Sequence, residues 1–343
     1  MITDGLRMPA EWEPHAATWL TWPHSALSWP GKRLAQMPAL WAKMIRAIAP
    51  GEEVHLLVQD EAMEARAREA LREHAADAPS VHLHCVPTDE CWLRDNGPIF
   101  VKEGERTVIT GWEYNAWGGK YPPYDLDIAV PDRIAEITGL SAIRPGMILE
   151  GGSIDVNGAG LLLTTEQCLL NPNRNPTLSR EEVKTRLHRH LGAERILWLG
   201  EGLEGDETDG HIDVLTRFVA VDTVVSAIES NPRDTNHAPL RENRERLDSM
   251  TGLDGRPLRV IELPMPPRVD HAELGARLPA SYANFYIANA AVLVPVYGHA
   301  ARDGEALEIL TACFPDREIV AIEALDLIWG GGAVHCVTQQ QPL

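Results

Sequence analysis

Apolar residues recur along this chain in two rhythms. The first is a short, nearly unbroken block. Residues 54–58 (VHLLV), 108–112, 160–164 (GLLLT), 195–199 (RILWL), 259–263 and 291–296 (AVLVPV) predict buried strands. Residues 81–86 (VHLHCV) alternate instead and predict a strand that turns His82 and His84 to one exposed face. Two short strands are expected over 219–228, with a turn near Asp222, and another over 318–322. The second rhythm is helical. Helices are expected over 37–48, stopped by Pro50-Gly51, and over 61–76, 132–139, 179–191, 240–250 and 303–313. In the last of these, Leu307, Leu310 and Cys313 fall at helical spacing, so Cys313 is read as packing. Strands alternate with helices and hairpins are interspersed, which predicts α/β or α+β rather than a bundle.

Composition narrows the function classes. Charged residues are 24% and apolar residues 44% of 343, as in an ordinary globular protein. The net charge of −19 argues against nucleic acid, whose phosphates need a basic face, and is compatible with a small cationic substrate. No window offers the ~20 apolar residues of a spanning helix. Residues 1–7 lack a basic block followed by an apolar one, so no secretory leader is expected. Five scattered cysteines without a C-x-x-C pair predict neither a disulfide framework nor a structural zinc site, and a cytoplasmic protein is expected. The sequence leaves the oligomeric state, homo-oligomer or monomer, open.

Polar residues gather where predicted strands end. Asp95 lies in Trp92-Leu93-Arg94-Asp95-Asn96-Gly97-Pro98, read as a strand running into a turn. Beside Trp92, Arg94 and Asp95 are read either as a cation-binding wall or as a capped turn. Glu150 closes the apolar run 147–150 and is expected at a strand exit before Gly151-Gly152. Asn115-Ala116-Trp117-Gly118-Gly119 is a loop able to hold Trp117 over a ligand. In 205–214, an extended backbone would put Asp209, His211 and Asp213 on one face. That cluster reads as a divalent-metal site, as a base and anion aimed at a cation, or as a solvated turn. Four tryptophans, at 12, 19, 22 and 29, read as packing more readily than as a pocket wall. Cys336 follows three glycines in a β-prone run, as a nucleophile at the mouth of a strand or as inert core. Three carboxylates, one imidazole and one thiol suit a planar cation clamped by acids and attacked by sulfur.

Six segments carry a resemblance. They are 92–98, 149–153, 168–176 (CLLNPNRNP), 209–213 (DGHID), 280–289 (ASYANFYIAN) and 330–340 (GGGAVHCVTQQ). In this order, from about Met8 to the end, the chain resembles the agmatine deiminase family, which includes the Porphyromonas-type peptidylarginine deiminases of the guanidine-modifying (pentein) superfamily. The resemblance implies one catalytic domain over 1–343, a fivefold pseudosymmetric α/β-propeller of ββαβ units. It implies no metal and no organic cofactor. By matching position, it implies Cys336 as nucleophile, His211 as general acid/base, Asp95 and Asp213 as guanidinium ligands, Glu150 in binding and proton handling, and Trp92 as channel wall. The implied reaction takes agmatine and water to N-carbamoylputrescine and ammonia through a thiouronium intermediate, a step toward putrescine in polyamine biosynthesis. Ala290-Ala291 stand where the family usually has two glycines, Ala333-Val334 where Asn-Ile is common, and Val214 where a polar residue is frequent. Arginine, peptidyl-arginine or another guanidino compound remain alternative substrates. Readings from other classes are a metal-dependent ureohydrolase using 206–213 and an inactive cation-binding protein.

Overall fold

The computed structural model describes residues 5–271 and 275–343; residues 1–4 of the leader comparison lie outside the described residues. Helix limits follow ordinary capping chemistry. Met37–Ile48 opens with Pro38 in its first turn, where the missing N–H is no loss. Arg180–Leu191 opens on a reciprocal cap between Ser179 and Glu182 and closes on left-handed Gly192. Val130–Thr138 likewise closes on left-handed Gly139. The expected helix over 61–76 stops at Glu73, because Ala75 takes a positive φ of 53°.

The strands of the described residues form five small sheets of three or four strands, and one wiring pattern recurs. Asp155–Val156 pairs antiparallel with Leu161–Thr165. The chain then crosses through helix Arg180–Leu191 and returns as Arg195–Leu199, parallel to Leu161–Thr165. The pattern repeats with Thr216–Ala220, Thr223–Ile228, helix His237–Asp248 and Arg259–Pro264. It repeats again with Tyr286–Ile287, Ala291–Val296, helix Ala300–Cys313 and Glu318–Glu323. Ile99–Glu103, Arg106–Thr110, helix Val130–Thr138 and Ala142–Ile143 make a fourth copy, with Leu6–Arg7 added at its edge. The fifth unit is shared by both ends of the chain. Its opening strand is Thr338–Pro342, antiparallel to His15–Thr21, with Glu53–Val58 and Val81–Cys85 following in parallel. The fold is thus the expected fivefold arrangement of ββαβ units. Parallel strands covered on both faces need continuous apolar runs, and Leu161–Thr165 and Ala291–Val296 are buried throughout.

Each unit's opening strand is preceded by a single tight turn. These turns are Leu93–Asn96, Gly151–Ser153, Ile212–Val214, residues 281–284 and His335–Val337. Three sequence expectations change here. Leu93–Asn96 forms a short helix, flanked by Trp92 and Gly97, rather than a strand end. Glu150 leaves no strand: Ile148 makes one isolated bridge to Glu113, and the backbone then enters the Gly151–Ser153 turn. Cys336 sits in a 3-10 turn one step before a strand. In each case the chain must bend inward before it can enter its sheet.

The tryptophan-rich start is packing. Trp19 and Trp29 are fully buried, and Trp19 stacks on His55 at 4.2 Å. Among the described residues no helix is long and apolar enough to cross a membrane.

Candidate active site

The five turns bring their polar residues together at the centre. Asp95, from the first, accepts from Gly152 N, of the second, through Oδ1 at 2.9 Å. Its Oδ2 accepts from Trp117 Nε1 at 2.9 Å. His211 Nδ1 lies 3.8 Å from Asp95 Oδ1, and His211 Nε2 lies 4.0 Å from Glu150 Oε2. Asp213 Oδ2 lies 3.7 Å from the Cys336 sulfur and 2.8 Å from His335 Nδ1. Asn284, from the fourth turn, donates through Nδ2 to the sulfur at 3.3 Å and accepts from His335 N at 3.0 Å. Each unit therefore supplies at least one polar group to a common point.

Gly152 shows how tightly the groups converge. A Cβ there would lie 2.5 Å from His211 Nδ1 and 2.8 Å from Asp95 Oδ1, so the position requires glycine. Gly332 is similar, with Trp92 at 2.7 Å and the Cys336 Cβ at 2.9 Å from its hypothetical Cβ.

A narrow cavity opens over the sulfur, lined by Trp92, Asp95, Trp117, Tyr121, Glu207, Thr208, the three glycines and Cys336. It widens outward into a bowl that shares Trp92, Trp117 and Glu207 and adds Asp89, Glu90 and Arg277. Two tryptophans in the lining, with the acids Asp95 and Glu207, fit a flat cation on a flexible stem.

Burial dominates the electrostatics. It pushes the Cys336 thiol well above the ordinary range, and the carboxylates of Asp213 and Asp95 add to this. Burial, with Asp213 and Glu150 nearby, also raises Asp95 far above the usual carboxylate range. It lowers His211 to about 3, against the opposing pull of Asp213. Glu150 is raised by burial, in part offset by Arg174, whose Nε donates to Oε1 at 2.6 Å. Asp213 moves the other way: burial disfavours its charge, but the His335 hydrogen bond and the His335, His211 and Arg217 charges outweigh burial and hold it low.

The residues singled out from sequence divide as follows. Cys336, Asp95, Asp213, His211 and Glu150 meet at the centre, and Trp92 and Trp117 line the cavity. Asp209 does not share a face with His211 and Asp213. The segment is a turn, with Asp209 at φ 66°, and its carboxylate binds Arg174, Asn173 and Lys120. Arg94 is no part of a cation wall; it points away to Gln340 at 2.7 Å and to the carbonyl of His335 at 3.3 Å. Asp206 is occupied in accepting from the backbone of Thr208, Gly210 and His211.

Several functional candidates escaped the sequence reading. Asn284 sits in an apolar stretch with no local polar pattern. His335 lies between Asp213 and Glu11, its Nε2 2.8 Å from Glu11 Oε2. Glu11 in turn faces Arg217 at 3.0 Å and Arg94 at 3.4 Å, partners remote in sequence. Glu207, at the cavity mouth, stood inside the acidic cluster but was not singled out from it. Arg174 was visible as the lone charge in a proline-bounded loop; it is 2% exposed and holds Glu150.

Residues 7–342 match the family model described as Porphyromonas-type peptidyl-arginine deiminase. The chain belongs to this family. Its members act as hydrolases on carbon–nitrogen bonds of linear amidines. An agmatine deiminase of Ectopseudomonas mendocina (strain ymp) is 39% identical over 363 residues, covering 99% of this chain and 96% of the relative. The solved agmatine deiminase of Enterococcus faecalis superposes with a TM-score of 0.90 at 33% identity, covering 99% of this chain and 96% of the other. A cysteine-to-serine variant of the C. jejuni agmatine deiminase, solved with substrate bound, gives a TM-score of 0.86 at 29% identity over 98% and 96% of the two chains. The likeness to family members spans the whole ring of five units, including the shared closing strand.

Proposed function

We propose that this protein, working as one catalytic domain over 1–343, hydrolyses agmatine to N-carbamoylputrescine and ammonia with Cys336 as nucleophile. One observation carries the reading: the Cys336 sulfur lies 3.7 Å from a carboxylate oxygen of Asp213, at the floor of an acid-lined, tryptophan-walled cavity. Carboxylates crowded against a thiol suppress the thiolate. They become favourable once a guanidinium enters between Asp95 and Asp213, because its charge offsets theirs and stabilises the sulfur anion.

The sulfur then attacks the guanidinium carbon. The Cys336 thiol proton moves to His211 as the carbon–sulfur bond forms; His211 passes it to the departing nitrogen, the carbon–nitrogen bond breaks, ammonia leaves, and a thiouronium remains on Cys336. His211 next takes a proton from water, whose oxygen attacks the same carbon; the carbon–sulfur bond breaks and the thiol is restored. Glu150, fixed on one oxygen by Arg174, has its other oxygen free toward His211 to share the proton. Agmatine is favoured over arginine because Glu207 at the cavity mouth suits the ammonium at the far end of agmatine and would oppose the carboxylate that arginine carries there. The product leads toward putrescine, a reaction suited to the cytoplasm.

The ureohydrolase alternative finds less support, since two of the acids it needs, Asp206 and Asp209, are spent on backbone and arginine partners. The test is an ammonia-release assay over agmatine, arginine and arginine peptides. Agmatine is expected to give the highest kcat/KM, with alkylation of Cys336 abolishing turnover. Release of urea instead of ammonia would overturn the reading.

A further inference from the structure

We propose that Glu150, His211 and Cys168 form a binding site for a borderline-soft divalent cation such as Zn2+, and that occupancy of this site inhibits the enzyme. The three residues offer a carboxylate oxygen, an imidazole nitrogen and a sulfur, all within 4.8 Å of one another and all buried. Two further observations point to a ligand. Glu150 Oε2 and both ring nitrogens of His211 make no hydrogen bond in their surroundings, although the two residues are 0% and 1% exposed. Buried polar atoms are rarely left unpaired without a reason. Arg174 occupies Glu150 Oε1, so the unpaired oxygen is the one turned to His211 Nε2, 4.0 Å away.

The chemistry of the set selects the metal. One sulfur, one imidazole and one carboxylate match the ligand types of zinc and not those of magnesium or calcium. Tetrahedral zinc sets its ligand atoms roughly 3.3–3.7 Å apart, against 4.0 Å between His211 Nε2 and Glu150 Oε2, so binding draws the ligands slightly together. Binding converts the Cys168 thiol to thiolate and releases its proton to solvent. The thiolate and the Glu150 carboxylate then balance the two charges of the ion, and neutral His211 adds none. Arg174 is the nearby opposing charge, and it is already paired with Glu150 and Asp209. The ion enters through the active-site cavity, whose floor residue Asp95 lies 3.8 Å from His211. Once bound, it takes the atoms of His211 and Glu150 that would handle protons. The inhibitory consequence rests on the deiminase reading; the binding does not.

The test uses the full-length protein with the exposed Cys85 replaced by serine. Cobalt(II) is titrated into this background and into Cys168→Ser, Cys168→Ala and Cys336→Ser made on it. A thiolate-to-cobalt absorption band at one ion per chain is expected in the background and in Cys336→Ser, and its loss in both Cys168 variants. Zinc should block ammonia release from agmatine, a chelator should restore it, and Cys168→Ser should raise the half-inhibitory zinc concentration roughly tenfold or more. X-ray absorption on zinc-loaded Cys336→Ser covers the case in which the Cys168 variants do not fold. One sulfur ligand is expected there, and none would overturn the site. A band that survives Cys168→Ser, or vanishes in Cys336→Ser, overturns it as well. Ammonia release that zinc leaves untouched overturns the inhibition and leaves the deiminase reading standing. A cobalt band in a protein that deiminates nothing supports the site and overturns that reading.

Discussion

Gly152 couples a backbone N–H to Asp95 and leaves no room for a side chain beside His211. Gly152→Ala is expected to displace both groups by close to an ångström and lower kcat/KM about a hundredfold, with little change in thermal stability. Cys336→Ser should lower kcat by roughly three orders of magnitude or more while circular dichroism stays unchanged. Asp213→Asn removes a charge that faces the sulfur and His335, so it should raise KM for agmatine about tenfold or more, since a hydrogen bond to a charged group is worth about 1.5–3 kcal/mol. The raised thiol implies that a neutral alkylating agent inactivates the free enzyme slowly at pH 7 and faster as pH rises. A cationic haloamidine should react faster at pH 7, and equal rates for the two reagents would argue against the acid-lined floor. At this scale the sequence exposed the groups that sit in conspicuous local patterns, such as His211 and Asp213 after Asp209-Gly210. It hid Asn284 and Glu11, because their importance comes from partners 52 and 324 residues away.

Strands and long helices were legible as elements because each is specified by its own apolar period and caps. Met37–Ile48 and Arg195–Leu199 fall where the periodicity puts them. The connecting turns were not, because their bend is imposed by contacts at the centre rather than by local propensity. The strand Val81–Cys85 adds a pH-sensitive feature. His55 Nδ1 meets His84 Nε2 at 2.8 Å, His55 stacks on Trp19, and His82 binds Glu53. Burial first, then the neighbouring His84 and His82, lowers His55 to about 4, and burial likewise lowers His84. Glu53 and Glu64 pull the other way and do not prevail. A folded-state value below the unfolded ~6.5 means that the unfolded chain binds more protons in between. Stability is therefore fully present above about pH 6.5 and declines as pH falls toward 4. Urea midpoints at pH 7.5 and 5 should show the drop, and His55→Gln should shrink it.

The whole molecule is a ring whose first and last segments share a sheet. Among the described residues, Thr338–Pro342 is the one strand antiparallel to His15–Thr21, and it begins two residues after Cys336. Truncation after Val337 should remove most of the folding free energy, commonly about 5–15 kcal/mol, and yield insoluble or unfolded chain. Deleting only Leu343, which is 73% exposed, should leave Tm within a few degrees. Soluble, cooperatively melting protein from the longer truncation would show that the ring closes without that strand. By itself the sequence determined the order of strands and helices, because apolar spacing within each segment fixes how that segment must be buried. It also determined the supply of acids, imidazole and thiol, and, through motif likeness, the family. Only the tertiary structure decided which of those groups meet. Asp209 and Arg94 look local to the site in sequence and are drawn off by other partners, whereas Asn284, Glu207 and Glu11 are brought in. Convergence of five distant turns on one point depends on the angle between sheets, and no single segment encodes that angle.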